Sequence, residues 1–224
     1  MPVFRSTIRR RPPRSTPRRR TSTRWAPPGF SPASGVTLDL ATFSDTFSKT
    51  TLEPWWRDGA VVYPDPSRSG VVTAGDGLSF APAAGNYTEV FGSYPFDLTA
   101  KSVTFDLSID PGMLTDPSAY VELSLIPWPW ILGVTGTAVR VRFYKSGADY
   151  LFDVWLNDGG TQQTFVVTST AGWRFIRIAS DLASPTTVTV SRSPDGYGWT
   201  TVLSAAVAAV DITALTFYAF GQGT

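Results

Sequence analysis

The feature that most constrains this chain is a hydrophobic pattern of period two, cut into short lengths by turn residues. Ser102–Ile109 places Val103, Phe105, Leu107 and Ile109 on one side, and Tyr120–Ile126 does the same with Val121, Leu123 and Leu125. In Val139–Tyr144 the apolar Val139, Val141 and Phe143 alternate with Arg140 and Arg142. Tyr150–Leu156, Thr164–Thr168, Arg174–Ala179, Thr187–Arg192 and Ala214–Phe220 repeat the pattern, and weaker runs lie at Ala60–Tyr63, Gly70–Thr73, Leu78–Ala81 and Tyr87–Phe91. Each run is rich in β-branched and aromatic residues and short enough to be a half-buried strand. Turn signals separate them: Pro64-Asp65-Pro66, Gly75-Asp76-Gly77, Asp110-Pro111-Gly112, Lys145-Ser146-Gly147, Asp158-Gly159-Gly160 and Pro194-Asp195-Gly196. Val202–Val210 is the only helix-like run, and its small residues favour strand or loop. The pattern predicts some twelve strands in an all-β, antiparallel two-sheet sandwich. No stretch approaches the ~18 consecutive apolar residues of a membrane span.

Charge divides the chain in two. Residues 1–24 hold nine arginines (Arg5, Arg9, Arg10, Arg11, Arg14, Arg18, Arg19, Arg20 and Arg24) and no acid. The remaining ten of 19 basic residues stand against all 18 acids, so the rest of the chain carries −8 and the overall +1 averages two unlike parts. Prolines at 12, 13, 17, 27 and 28, few apolar residues and like-charge repulsion predict an extended arm over residues 1–35, followed by a sandwich over 36–224. The arm lacks the apolar stretch of a secretory signal, and its prolines oppose the amphipathic helix of a mitochondrial presequence. Two uses remain open for it: neutralising nucleic acid in a salt-dependent, sequence-blind manner, and docking into an acidic groove of a protein assembly.

Composition removes much familiar chemistry. With no cysteine and no histidine there is no disulfide, no thiolate or imidazole metal site, no Cys nucleophile and no Ser-His-Asp triad. For binding, Pro127-Trp128-Pro129-Trp130 would display two rings at small entropic cost, and Tyr144, Tyr150 and Trp155 could form a second aromatic ladder for a glycan or partner protein. The bland alternative is that these rings cap the sandwich or pack on a neighbouring subunit. Trp55 and Trp56 point to opposite sides in extended chain, so at most one is a natural core residue. Asp195-Gly196 supplies the positive-φ turn of a hairpin, with Trp199 packed over it.

Several of these segments resemble the concanavalin A-like lectin and glucanase sandwiches. They are Phe43-Ser-Asp45-Thr-Phe47, Leu52-Glu-Pro-Trp55-Trp56-Arg57-Asp58-Gly59, the Gly77-Leu78-Ser79-Phe80 strand, the Ser193-Pro-Asp195-Gly196-Tyr-Gly-Trp199 hairpin and a closing Leu215–Gly221 strand. The resemblance covers roughly residues 40–224 and implies a jelly roll. Glucanases of that kind carry Glu-x-Asp-x-x-Glu on one strand, the close carboxylate spacing a retaining mechanism needs. Here Glu53, Glu89 and Glu122 are far apart, and Ser124 and Pro127 occupy the partner positions after Glu122. The expectation is therefore a protein that is not an enzyme. Calcium is a habit of the family; Asp149 with Asp153, or Asp158, could supply oxygens, but no ligand loop has the right spacing and no cofactor or metal is expected.

An arginine-rich arm on such a sandwich points to a virion protein of a tailed bacteriophage, a minor tail or capsid-decoration subunit. Its partners would be other virion proteins, a host-surface glycan and, through the arm, nucleic acid. A capsid subunit of a small icosahedral virus and a free-standing carbohydrate-binding lectin are the alternatives.

Overall fold

The computed structural model describes residues 37–41, 43, 45, 49, 51–58, 71–74, 78–81, 86–107, 119–128, 139–156, 161–167, 171–182, 186–207 and 211–222. The arm of residues 1–35, Trp130, Asp158, the run Ala60–Tyr63 and four of the six turns named above lie outside them. Among the described residues there are thirteen strands and one 3₁₀ turn, Ala171–Trp173. The strands are β1 (Trp56–Asp58), β2 (Val71–Ala74), β3 (Leu78–Ala81), β4 (Tyr87–Gly92), β5 (Ser102–Asp106), β6 (Tyr120–Pro127), β7 (Val139–Ser146), β8 (Asp149–Leu156), β9 (Thr161–Val167), β10 (Phe175–Ser180), β11 (Thr187–Ser193), β12 (Thr200–Ala206) and β13 (Leu215–Gln222). No helix among these residues is long and apolar enough to cross a membrane.

The strands form a seven-stranded sheet in the order β1-β4-β13-β6-β7-β8-β9 and a four-stranded sheet in the order β12-β11-β10-β5, with β2 and β3 as a separate hairpin. Every strand pair is antiparallel. The hairpin packs against β4 and β13. The all-β sandwich expected from the alternation is the architecture observed, and β12 takes residues 202–206 of the ambiguous stretch into a strand. β1 is an addition that the alternation did not reveal, being only three residues long.

Alternation explains why the two sheets close on each other. Val139, Val141 and Phe143 of β7, Phe152, Val154 and Leu156 of β8, and Ile176, Ile178, Val188 and Val190 of the smaller sheet all join one buried core. Phe152 stacks on Trp173 at 4.2 Å between ring centroids and meets Phe143 edge-on at 4.8 Å. Phe217 of β13 gathers Phe43, Phe96 and Trp56 around it, and Phe105 of the opposite sheet meets it edge-on. Burying rings of this size removes their apolar area from water and dominates the core's stability.

Local chemistry fixes the two ends of the pattern. Gly147 at φ 64° turns β7 into β8, and Gly196 at φ 80° lies in the loop between β11 and β12; both conformations suit a residue without Cβ. In that second loop Asp195 Oδ1 accepts hydrogen bonds from the backbone N–H of Tyr197 and Gly198 and from Ser193 Oγ. These bonds, Tyr197 and Gly198 first, hold its carboxyl below the ordinary aspartate range. Phe175 lies against Gly196, and Trp199 stacks under the Arg177 guanidinium at 4.2 Å. Trp55 and Trp56 differ from the extended-chain expectation. Trp55 sits in a turn, and both indole N–H groups donate to Asp45 Oδ2, at 2.8 and 2.6 Å.

Candidate binding face

The side of the seven-stranded sheet turned away from the core is the chemically richest surface among the described residues. Register places Tyr120 of β6 opposite Tyr144 of β7, Glu122 opposite Arg142, and Ser124 opposite Arg140. Across the next pair, Arg140 stands opposite Trp155 and Arg142 opposite Asp153. The core claims the odd-numbered residues of β7 and the even-numbered ones of β8, so these polar and aromatic partners share the outward side.

Arg142 is the centre of the arrangement. Its guanidinium stacks over Tyr144 and Trp155 at 4.8 Å and over Tyr120 at 5.4 Å, while Nη2 donates to Asp153 Oδ2 at 2.8 Å. Asp153 is only 1% exposed, and its Oδ1 has no hydrogen-bond partner. Arg140 covers Trp155 at 5.3 Å and pairs with Glu122, which also accepts from Ser124 Oγ at 2.8 Å. Each arginine side chain keeps about a third of its surface in solvent, at 30% for Arg140 and 31% for Arg142. A stacked, charge-paired guanidinium that keeps part of its surface in solvent is a rigidly held polar group.

The face continues across β13 to β4. Phe220 stacks between Tyr120 at 5.3 Å and Tyr87 at 5.2 Å, which makes an aromatic stripe perpendicular to the strands. Beside it Tyr218 packs on Phe91 and donates its hydroxyl proton to Glu89 Oε2 at 3.1 Å. Burial raises the Tyr120, Tyr144 and Tyr218 phenols above the ordinary tyrosine range; Glu122 adds to this at Tyr120, Asp153 at Tyr144, and Glu89 with Glu122 at Tyr218.

Folding also joins two of the glutamates that the sequence keeps apart. Glu89 and Glu122 both stand opposite Phe220 from the flanking strands, about 10 Å apart at Cα by ordinary strand spacing. Each is engaged: Glu122 by Arg140 and Ser124, Glu89 by Tyr218.

The aromatics singled out from sequence divide accordingly. Tyr144 and Trp155 meet at Arg142, whereas Tyr150 lies on the other side of β8, packed against the core with Lys145 over its ring at 5.8 Å. Tyr150 and Trp155 are five residues apart, and an odd separation in a strand reverses the face. Three rings therefore do not form one ladder; Tyr120 takes the place expected of Tyr150. Trp128 is half-buried just beyond β6, and its backbone N–H, donating to Ala214 O at 2.8 Å, continues the β6–β13 pairing. Asp149 is exposed, and about 13 Å of strand separates it from Asp153. No group of three or more metal-ligating side chains occurs among the described residues.

No protein-family model matches the chain, and no curated protein matches it. Among solved structures it is similar to the TRIM65 PSpry domain, with 14% identity over 70% of this chain and 81% of that one and a TM-score of 0.34. It is also similar to the CBM2 module of the evolved Dit of Lactobacillus casei BL23 phage J-1, with 12% identity over 80% of this chain and 86% of that one and a TM-score of 0.34. Likeness at this level assigns the chain neither a family nor an activity.

Proposed function

We propose that this chain is a non-enzymatic structural subunit of a tailed-bacteriophage virion, a minor tail or capsid-decoration protein with a concanavalin A-like jelly roll. Residues 1–35 anchor it in the assembly. The sandwich is displayed outward and engages a host-surface glycan through the outer face of its seven-stranded sheet. The observation that carries the reading is the Arg142 node: a guanidinium held by Tyr120, Tyr144, Trp155 and Asp153, with part of its surface left in solvent. Saccharide sites combine ring surface with a few fixed polar groups, and a preorganised site loses little entropy on binding. The pairing of each outward arginine with a carboxylate suits a ligand rich in hydroxyl groups over a strongly charged one. The engagement of Glu89 and Glu122 by their neighbours supports binding over catalysis, because a general acid or base needs a carboxyl open to substrate.

The test is binding of the purified full chain to an array of bacterial cell-wall and capsular polysaccharides. A specific hit is expected, weakened about tenfold or more, ~1.4 kcal/mol, by Tyr144→Ala. The absence of any glycan bound, or binding unchanged by both Tyr144→Ala and Tyr120→Ala, would overturn it. Salt-dependent binding of random RNA or DNA together with self-assembly into shells would favour a small icosahedral capsid subunit.

A further inference from the structure

β9 closes one side of the seven-stranded sheet. It pairs with β8 in unbroken register from Leu156↔Thr161 to Tyr150↔Val167, and among the described residues no strand pairs with its other side. An edge of this kind presents a row of backbone donors and acceptors, which proteins ordinarily blunt with charge, proline, a bulge or brevity. Thr161-Gln-Gln-Thr-Phe-Val-Val167 has no charge and no proline. Gln163 and Thr164 are exposed, and Val166 is 65% exposed. The other edges of the two larger sheets are blunted: β1 has three residues with Arg57 and Asp58 among them, β5 ends in Asp106, and the pairing of β12 shifts register between Val190 and Ser191 of β11.

We propose that β9 is a homodimer edge, with the β9 strands of two copies pairing antiparallel about a two-fold axis at Thr164. A second copy fits better than the other candidates. An uncharged strand meets itself without the like-charge opposition that a charged one would suffer. The chain's own arm is a poor strand donor, because its prolines remove backbone N–H groups and it carries nine arginines. The arm's charge also offsets the acidic remainder, so full chains approach one another at a net charge of only +1. The two-fold would stand perpendicular to the sheet, so both outer faces would look the same way. Two Arg142 nodes would then face a single surface, and simultaneous engagement would raise avidity without any new contact.

Sedimentation velocity on the full chain tests the pairing independently of any glycan. The wild type is expected at twice the 24.3 kDa chain mass. Thr164→Lys and Thr164→Glu, each placing like charges opposite one another on an exposed position, should sediment singly as monomers, while Thr164→Val remains dimeric. An equimolar mixture of Thr164→Lys and Thr164→Glu should restore the dimer. A monomeric wild type, two charged variants that stay dimeric, or a mixture that stays monomeric would each overturn the proposal.

Discussion

The two outward faces of the sandwich follow opposite rules. On the four-stranded sheet, Ser102, Thr104, Thr201 and Ser204 are exposed, Thr189 and Ser204 share a hydrogen bond at 2.9 Å, and the charged groups, such as Arg177 on Trp199 and the exposed Arg174–Asp106 pair, include no buried one among the described residues. On the seven-stranded sheet, Glu89 and Asp153 are 3% and 1% exposed and are held by Tyr218 and Arg142. Taking charges out of water costs several kcal/mol per ion, and pairing only partly offsets it, so such a face is weak evidence for stability. A sheet that needed only to shield its core could have used the serine-and-threonine solution on both sides. The contrast teaches that the costly face is where binding chemistry should be sought.

Matched substitutions can break or sharpen that contrast. The largest loss should come from the interior: Phe152→Ala, which removes a ring stacked on Trp173, is expected to cost about 3–5 kcal/mol in chemical denaturation. Its neighbour on the opposite side, Asp153→Ala, should cost about 2–3 kcal/mol, less than the loss of a fully buried partner because the Arg142 side chain is 31% exposed. Thr189→Ala on the other sheet should change stability by no more than about 0.5 kcal/mol. Equal effects of Asp153→Ala and Thr189→Ala would erase the difference between the faces.

Titration probes the same contrast more gently. Tyr120, Tyr144 and Tyr218 have raised phenol values in the folded chain, so their contribution is fully present below the ordinary tyrosine value of 10.0 and is lost as pH climbs through the folded values. Phenolate absorbance should show these three ionising above the ordinary tyrosine value, with stability declining from about pH 10 upward. Asp195 has the opposite sign: its depressed carboxyl contributes above the ordinary aspartate value of 3.8, and that contribution fades as pH falls through the folded value. Asp195→Asn should flatten this small acid limb and leave the alkaline one untouched. An unchanged acid limb would mean that the loop bonds add nothing to stability.

Much of this fold is legible in the residues. β7 and β8 declare themselves by alternation, and the turn at Ser146-Gly147 sets their register, so the pairs Arg142–Asp153 and Arg140–Trp155 follow by counting outward from the turn. The odd spacing between Tyr150 and Trp155 likewise contains the news that they face opposite ways. Other parts were hidden for a physical reason. Tyr120 reaches Tyr144 across a long connection, and Phe220 stacks between residues of β4 and β6 that are far away in the chain; neither strand order nor long-range register is written in local periodicity. The meeting of Glu89 and Glu122 at Phe220 belongs to that second kind, as does the division into a seven-stranded and a four-stranded sheet.

The central claim is a division of labour between a cationic arm and a displayed sandwich, and one truncation tests it directly. A chain of residues 36–224 should unfold at the same temperature as the full chain and bind the same polysaccharide with the same affinity, yet be missing from assembled particles when it is the only copy supplied. Incorporation of the truncated chain at the full-length level, or loss of glycan binding with the arm, would contradict the account.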